Sequence, residues 1–335
     1  MLKQNDFIQL VAVQYRLETD DFLNSQNFAT KIDSFMARIR ASTNDKYHTL
    51  VVFPEDIGTM LILDGMNEVV KNSGSLKEGI EKFIKQNFLT IGLKKIFYRT
   101  SWQRALFLHK SMSVAKVYFE TFSNAAKKYG VYIVAGSILL PDYKIENGKC
   151  MNLKPIDNKI FNISYLFGPD GLIIGRQKKV YLIDLEGVAG LDAEPAKLSE
   201  IKVFDTLLGK IGIAICLDAF KKDVLTDLKN QGADILVQPS ANPKEWDYEQ
   251  KIDWLNGSWL ATAKEKMFKY AVNPMLTGRV FDIFFYGQSS IITSGMQSLT
   301  DNYIGLDTSY GFLEISKSCE EEEVIVAKVP HPEIS

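Results

Sequence analysis

Four short apolar runs limit the folds open to this chain more than any other feature of its sequence. Residues 7–14 (FIQLVAVQ) and 49–56 (TLVVFPED) contain strands that are apolar on both faces, and a proline closes the second. Residues 211–216 (IGIAIC) and 234–242 (DILVQPSAN) repeat the pattern. Strands of this kind belong to the centre of a sheet that is covered on both sides. We therefore expect sheets layered by helices.

Helical patterns separate several of these runs. Apolar residues recur at helical spacing over residues 28–39, after the possible N-cap Asn24. A second row covers residues 114–129 and ends before a glycine, and residues 131–139 (VYIVAGSIL) then have the composition of a strand. These alternations predict β-α-β units.

A hairpin pattern accompanies the β-α-β units. Residues 161–167 (FNISYLF) and 172–179 (LIIGRQKK) flank the turn sequence GPDG, which predicts an antiparallel pair. The combination predicts mixed sheets rather than a purely parallel nucleotide-binding sheet. The glycine-rich phosphate-loop patterns and the HExxH zinc motif do not occur in the sequence.

Residues from about 58 to 113 have no clear pattern and include a basic, aromatic portion, GLKKIFYRTSWQRALFLHK. We interpret this segment as an insertion that packs on the surface as a solvated amphipathic excursion. A lid over the active site or an oligomer contact are the alternatives, and membrane attachment is the least favoured of them.

Composition and charge exclude several classes of protein. A net charge of -2 over 335 residues provides no overall field for nucleic acid or an anionic membrane. Cys150, Cys216 and Cys319 lie far apart without CxxC spacing, which argues against a zinc site or a disulfide framework. The sequence contains neither a signal-peptide pattern nor an apolar run of about 18 residues. We expect a cytoplasmic protein without a transmembrane segment and without a nucleic-acid partner.

Cys216 follows a predicted buried strand and is a candidate nucleophile, provided that a base accepts its proton. The three histidines, His48, His109 and His331, do not lie at predicted strand ends. Glu55 does, and a carboxylate that is desolvated becomes a competent base near neutral pH.

A cation is also needed to stabilise the anion that forms when sulfur attacks an unsaturated carbon. Lys178 and Lys179 end a predicted strand, and adjacent strand residues point to opposite faces. At most one of the two lysines should therefore face the site.

Taken together, these segments resemble the signature blocks of the nitrilase superfamily, the carbon-nitrogen hydrolases. The resemblance is carried by FPE at residues 53–55, the Lys179-x-x-Leu182 segment and GIAICLD at residues 212–218. The segments VAGS at 134–137 and GADILVQPSA at 232–241 are also similar to family sequence. The resemblance implies one carbon-nitrogen hydrolase domain over residues 1–335, with the insertion at about 58–113.

The resemblance implies a four-layer α-β-β-α sandwich of two mixed sheets, with neither a metal ion nor an organic cofactor. It assigns Cys216 as nucleophile, Glu55 as general base and Lys179 as the cation that stabilises the oxyanion. It also implies that the Leu217 backbone N–H is a second oxyanion donor and that Glu186 positions the site. A homodimer or higher homo-oligomer is implied as well.

The implied reaction is hydrolysis of a non-peptide carbon-nitrogen bond through a cysteine thioester, with release of ammonia or an amine. The substrate would be a small-molecule amide or nitrile, and an amide of a small carboxylic acid is favoured. Two alternatives remain: an N-acyltransferase that passes the acyl group to an amine, and a catalytically silent scaffold that binds a metabolite or a protein.

Overall fold

In a computed structural model, which describes residues 6–188, 190–295, 303 and 310–334, the chain forms two large mixed sheets flanked by helices. The helices of the described residues are α1 (Ser25–Ser42), α2 (Asn67–Lys71), α3 (Leu76–Gln86), α4 (Phe88–Tyr98), α5 (Trp102–Tyr129), α6 (Lys222–Asn230) and α7 (Tyr248–Trp254). Short 3-10 helices cover Thr19–Asp21, Thr59–Leu63, Leu198–Glu200 and Cys216–Phe220, and a π-helical turn covers Leu260–Lys264.

The strands of the described residues are, in chain order, β1 (Phe7–Leu17), β2 (His48–Val52), β3 (Tyr132–Val134), β4 (Ile138–Leu140), β5 (Tyr143–Glu146), β6 (Lys149–Pro155), β7 (Phe161–Phe167), β8 (Ile173–Lys178), β9 (Val203–Thr206), β10 (Gly209–Ile213), β11 (Ile235–Val237), β12 (Ser240–Ala241), β13 (Tyr270–Asn273), β14 (Met275–Val280), β15 (Ile283–Phe285), β16 (Ser290–Thr293), β17 (Phe312–Ile315) and β18 (Glu323–Pro330).

Sheet one has the order β12-β14-β1-β2-β3-β7-β4, with β18 paired to β1, β8 to β7 and β15 to β14. Strands β1, β2 and β3 run parallel, and β7 and β8 form the antiparallel pair that the turn sequence predicts. Sheet two has the order β17-β16-β13-β11-β10-β9, and β10, β11 and β13 are parallel. Strands β5 and β6 form a separate hairpin.

Alternate residues of β1 face two different cores, as the pleat of a strand requires. Val11 and Val13 pack in one cluster with residues of α1 and α5. Leu10 and Ala12 pack between the sheets with residues such as Ile213 from sheet two. A third cluster joins the outer face of sheet two to α6 and the segment after α7. The predicted four-layer α-β-β-α sandwich of two mixed sheets is confirmed.

The boundaries of the first predicted helix follow from its caps. The Asn24 side chain accepts a hydrogen bond from the Gln26 backbone N–H at the start of α1. Helix α5 ends where the sequence predicts it, at Gly130, which has a φ of +65°. Helix α5 begins at Trp102, twelve residues before its predicted start.

The segment from about 58 to 113 is largely helical. It contains the 3-10 helix Thr59–Leu63, the helices α2, α3 and α4, and the first part of α5. Phe83, Ile91 and Leu106 belong to the core around α1 and α5, so the segment is anchored by apolar packing. That it is an insertion within a single domain over 1–335 stays a prediction. Within the described part of the chain, no helix combines the length and apolarity needed to cross a membrane.

Candidate active site

Strand ends of both sheets deliver the predicted site residues to one place. Glu55 follows β2 after Phe53 and Pro54, and Lys179 follows β8 directly. Cys216 lies three residues beyond the end of β10 in sheet two. Glu55, Lys179 and Cys216 are all buried, and Cys216 keeps 8% of its surface exposed.

Lys179 joins two carboxylates. Its Nζ lies 2.7 Å from Glu55 Oε1 and 2.7 Å from Glu186 Oε2. Burial acts to lower the pKa of Lys179, but attraction by Glu55, Cys216 and Glu186 outweighs it and holds the pKa well above its usual value. Lys179 is therefore an ammonium ion. It has three N–H donors, of which Glu55 and Glu186 occupy two.

The Glu55 carboxylate is held on several sides. Its Oε2 accepts a hydrogen bond of 3.2 Å from the backbone N–H of Ala241, the residue whose carbonyl lies 3.7 Å from the Cys216 sulfur. Burial raises the pKa of Glu55, attraction by Lys179 opposes that rise, and repulsion by Glu186 adds to it. Glu55 is thus a carboxylate with increased proton affinity beside a thiol, as a general base requires.

Cys216 occupies a strained turn. Its φ of +46° lies in the left-handed region, which residues other than glycine rarely adopt. The Cys216 backbone N–H donates to the Pro239 carbonyl at 2.9 Å, and its Sγ lies 3.7 Å from the Ala241 carbonyl oxygen. Burial raises the pKa of the Cys216 thiol well above its usual value. The thiol therefore keeps its proton until a base removes it.

Leu217 lies at the start of the 3-10 helix that begins at Cys216. The Asp218 backbone N–H donates to the Ile215 carbonyl at 3.0 Å. Leu217 precedes Asp218 in the first turn of this 3-10 helix. Backbone N–H groups in the first turn of a helix have no partner within the helix and point outward. The place of the Leu217 N–H beside the sulfur agrees with the predicted donor role, which stays a prediction.

Asn162 is the site residue that the sequence reasoning missed. Its Nδ2 donates to Glu55 Oε1 at 3.0 Å and to Glu186 Oε1 at 2.6 Å, and its backbone carbonyl accepts from the Lys179 backbone N–H at 2.8 Å. One amide therefore bridges the two carboxylates that flank Lys179. The available signal was a polar residue in β7, whose seven residues are all buried.

Asp218 links the cysteine turn to the lysine segment. Its Oδ2 accepts from the Val180 backbone N–H at 3.0 Å, and its Oδ1 accepts from the Tyr181 N–H at 2.8 Å. Burial raises the pKa of Asp218 to about 6. These contacts fix the distance between Lys179 and Cys216.

The alternatives considered from the sequence lie elsewhere. Lys178 points to the other face of β8, where its Nζ lies 3.0 Å from Asp142 and from Glu200. His48 begins β2, His109 lies within α5, and the His331 ring contacts the Leu207 carbonyl. No group of three or more His, Cys, Asp or Glu side chains suited to a metal ion occurs among the described residues.

A family model described as carbon-nitrogen hydrolase matches residues 89–303, which is well over half of the chain. The chain belongs to the carbon-nitrogen hydrolase family. The predicted resemblance to the nitrilase superfamily is confirmed. Among curated proteins, this chain is similar to omega-amidase NIT2-B of Xenopus laevis, with 28% identity over 154 residues. The aligned part is 43% of this chain and 51% of the relative, so the chain spans about half the length of the curated relatives it matches.

Solved structures of this hydrolase family share the fold over nearly the whole chain. Nit3 of Saccharomyces cerevisiae, a member of branch 10 of the nitrilase superfamily, aligns with a TM-score of 0.56 at 19% identity. That alignment covers 98% of this chain and 92% of Nit3. An amidase from Nesterenkonia sp. aligns with a TM-score of 0.61 at 14% identity, covering 99% and 93%. At such identities the likeness concerns the fold.

Proposed function

We propose that this carbon-nitrogen hydrolase cleaves an amide of a small carboxylic acid through a thioester on Cys216. The observation that carries the proposal is that Ala241 joins the nucleophile to the base: its carbonyl lies beside the Cys216 thiol, and its N–H donates to Glu55, which pairs with the buried Lys179 ammonium. A nucleophile, a base and a cation within one buried cluster are the groups that acyl transfer requires. The names of the relatives, omega-amidase and amidase, support the amide over the nitrile.

In the first half of the proposed reaction, Glu55 takes the Cys216 proton as sulfur attacks the amide carbon. Because burial raises the pKa of the thiol, proton removal accompanies the attack and does not precede it. The carbonyl π electrons move to oxygen, and the free N–H of Lys179 and the Leu217 N–H stabilise the resulting oxyanion. When the tetrahedral intermediate collapses, the carbon-nitrogen bond breaks and Glu55 returns its proton to the leaving nitrogen.

In the second half, water replaces the amine that has left. Glu55 takes a proton from water, whose oxygen attacks the thioester carbon. The carbon-sulfur bond then breaks, and the sulfur regains its proton from Glu55. The products are a carboxylic acid and ammonia or an amine, and the enzyme returns to its starting state. Glu186 and Asn162 act as positioning residues, because they hold Lys179 and Glu55 in place.

A cavity of about 410 Å³ offers an approach for the substrate. Leu185, Pro243, Glu245 and Tyr286 are among its lining residues. Leu185 precedes Glu186 in the chain, and Pro243 follows Ala241, whose carbonyl lies beside the Cys216 sulfur. The cavity is thus lined by residues close in the chain to Glu186 and Ala241, and we infer that the substrate enters by it.

Ammonia release tests the proposal. The purified protein is offered aliphatic amides, ω-amidated dicarboxylates, carbamoylated amino acids and nitriles, with Cys216→Ala as control. We expect turnover that requires Cys216, and the substrate used names the class. If no compound is turned over and Cys216 is never acylated, the hydrolase proposal is wrong and a silent scaffold replaces it. Acyl transfer to an added amine in preference to water would instead indicate an N-acyltransferase.

A further inference from the structure

Helix α4 presents an apolar row to solvent. The row consists of Leu89, Leu93, Ile96 and Phe97, which are 79%, 69%, 75% and 79% exposed. Their spacing of four, three and one residues places them on one helical face. The residues of α4 that are buried are Ile91 and Gly92. The helix is therefore anchored by one face, while a second apolar face remains outside.

The apolar row lies within a stretch of uniform charge. Residues 82–119 contain eight Lys or Arg residues and no Asp or Glu, although the whole chain carries a net charge of -2. Around the helix, Lys94 and Lys95 lie beyond the edges of the row, toward the anchored face that holds Ile91, and both are half-buried. Lys85 and Arg99 are exposed near the two ends of α4.

Four cations around the row lack a carboxylate partner among the described residues. Two others of the same stretch are paired, Lys82 with Glu78 and Arg104 with Asp192 and Glu194. Among the residues that the structure describes, no salt bridge joins Lys85, Lys94, Lys95 or Arg99 to a carboxylate. Lys95 lies 5.4 Å from the centre of the Trp102 ring, a contact that leaves its charge in place. The segment thus combines exposed apolar side chains with unpaired positive charge.

We propose that the apolar row of α4 docks on an anionic lipid surface. A helix of this kind lies in the plane of the membrane interface, with its apolar side chains at the headgroup and acyl boundary. Lys85 and Arg99, which are exposed near the two ends of α4, would then reach the lipid phosphates, since long basic side chains extend toward the polar layer. The described part of the chain holds no helix able to span a membrane, so the attachment is peripheral and reversible.

Charge favours lipid over a second copy of this chain as the occupant. In a twofold-symmetric dimer, the same patch of each subunit contacts its counterpart. Such a dimer through α4 would place the basic segment of one copy against the basic segment of the other. A surface of anionic lipid supplies the opposite charge instead and covers the same apolar side chains.

Vesicle sedimentation tests the proposal with the full chain. The protein is mixed with phosphatidylcholine vesicles, with or without phosphatidylserine, at low and at physiological salt. We expect binding to the vesicles that contain phosphatidylserine, weakening as salt screens the charges. Leu93→Asp/Ile96→Asp should lower the partition coefficient by about tenfold or more for each side chain removed from the membrane.

Two controls separate the surface from general effects. Leu207→Asp changes an exposed leucine in the turn between β9 and β10, outside α4, and should bind vesicles as the wild type does. Lys85→Gln/Arg99→Gln should lose much of the salt-dependent part of binding, while Lys85→Arg/Arg99→Lys keeps it.

The proposal is overturned if the wild type does not bind anionic vesicles at low salt. It is also overturned if the Leu93→Asp/Ile96→Asp variant, folded by circular dichroism, binds as well as the wild type. If the wild type is an oligomer that does not bind vesicles, and the variant forms a smaller species, α4 is an interface between copies of this chain.

Discussion

Replacing Lys179 with methionine tests whether the buried cluster depends on its cation. Lys179 is 1% exposed, and its ammonium lies 2.7 Å from both Glu55 and Glu186. Methionine fills similar space but leaves two buried carboxylates without the charge they share. Removing one partner of a buried ion pair costs about 3–5 kcal/mol of unfolding free energy. Loss of an oxyanion donor should also raise the reaction barrier by about 3 kcal/mol.

The stability loss should depend on pH. Attraction by Lys179 opposes the rise in the pKa of Glu55 that burial causes, so the pKa rises further in Lys179→Met. The folded variant then holds a proton that the unfolded chain, with an ordinary glutamate pKa, has released. A raised folded-state pKa gives stability that is present at low pH and lost as the pH rises through that pKa. The loss of unfolding free energy in Lys179→Met, relative to the wild type, should therefore be greatest at alkaline pH.

Urea unfolding followed by tryptophan fluorescence, at mildly acid and mildly alkaline pH, measures this effect, and ammonia release measures the rate. Lys178→Met is the matched control, because Lys178 is the neighbouring residue and pairs with Asp142 and Glu200 on the other face. It should lose only about 1 kcal/mol and keep its activity. Lys179→Met/Glu186→Gln should recover part of the stability, since one carboxylate is removed. A loss in Lys179→Met below about 1 kcal/mol at the mildly alkaline pH would refute the reasoning.

Three further substitutions test other parts of the site. Cys216→Ala should fold normally and release ammonia at the background rate, a loss of roughly a millionfold; appreciable turnover would rule out the thioester. Asn162→Asp places a third carboxylate beside Glu55, so the pKa of Glu55 rises and the ascending limb of kcat/KM against pH should move up by about one unit or more. If the ascending limb of the pH profile of kcat/KM is the same in Asn162→Asp and in the wild type, Glu55 is not the base. Gly136 has a φ of +63°, and a Cβ there would overlap the Pro54 carbonyl oxygen. Gly136→Ala should lower the unfolding free energy by about 1–3 kcal/mol and reduce kcat. Gly65→Ala, where a Cβ meets open space at a φ of +75°, should leave kcat unchanged; equal effects on kcat would show that the contact with Pro54 is unimportant.

Local patterns predicted the regular elements well where one residue period dominates. Strands β1 and β2, the β7–β8 hairpin and helix α1 correspond to their predicted segments. The start of α5 was misplaced because residues 105–108 are a continuous apolar run. Leu106 packs in the core around α1, whereas Phe107 and Leu108 belong to a separate cluster. Burial on two sides removes the one-sided period that a sequence pattern detects.

The predicted strand over residues 131–139 is divided for a tertiary reason. Strands β3 and β4 are separate, and Gly136 lies between them with a positive φ. Gly136 packs against Pro54, and the Ser137 carbonyl accepts a hydrogen bond from the Gly58 backbone N–H. The break makes room for the chain around Glu55. A contact between segments some 80 residues apart has no local signature.

The sequence by itself determined the layered α/β architecture, the strand ends that carry Glu55, Lys179 and Cys216, and the rule that adjacent lysines face opposite ways. These features depend on residue period and turn chemistry, which neighbours in the chain define. Only the tertiary structure decided that one Asn162 amide joins Glu55 to Glu186 around the Lys179 ammonium. Those hydrogen bonds depend on the pairing of β7 with β8 and on the packing of the two sheets, which bring together residues distant in the chain.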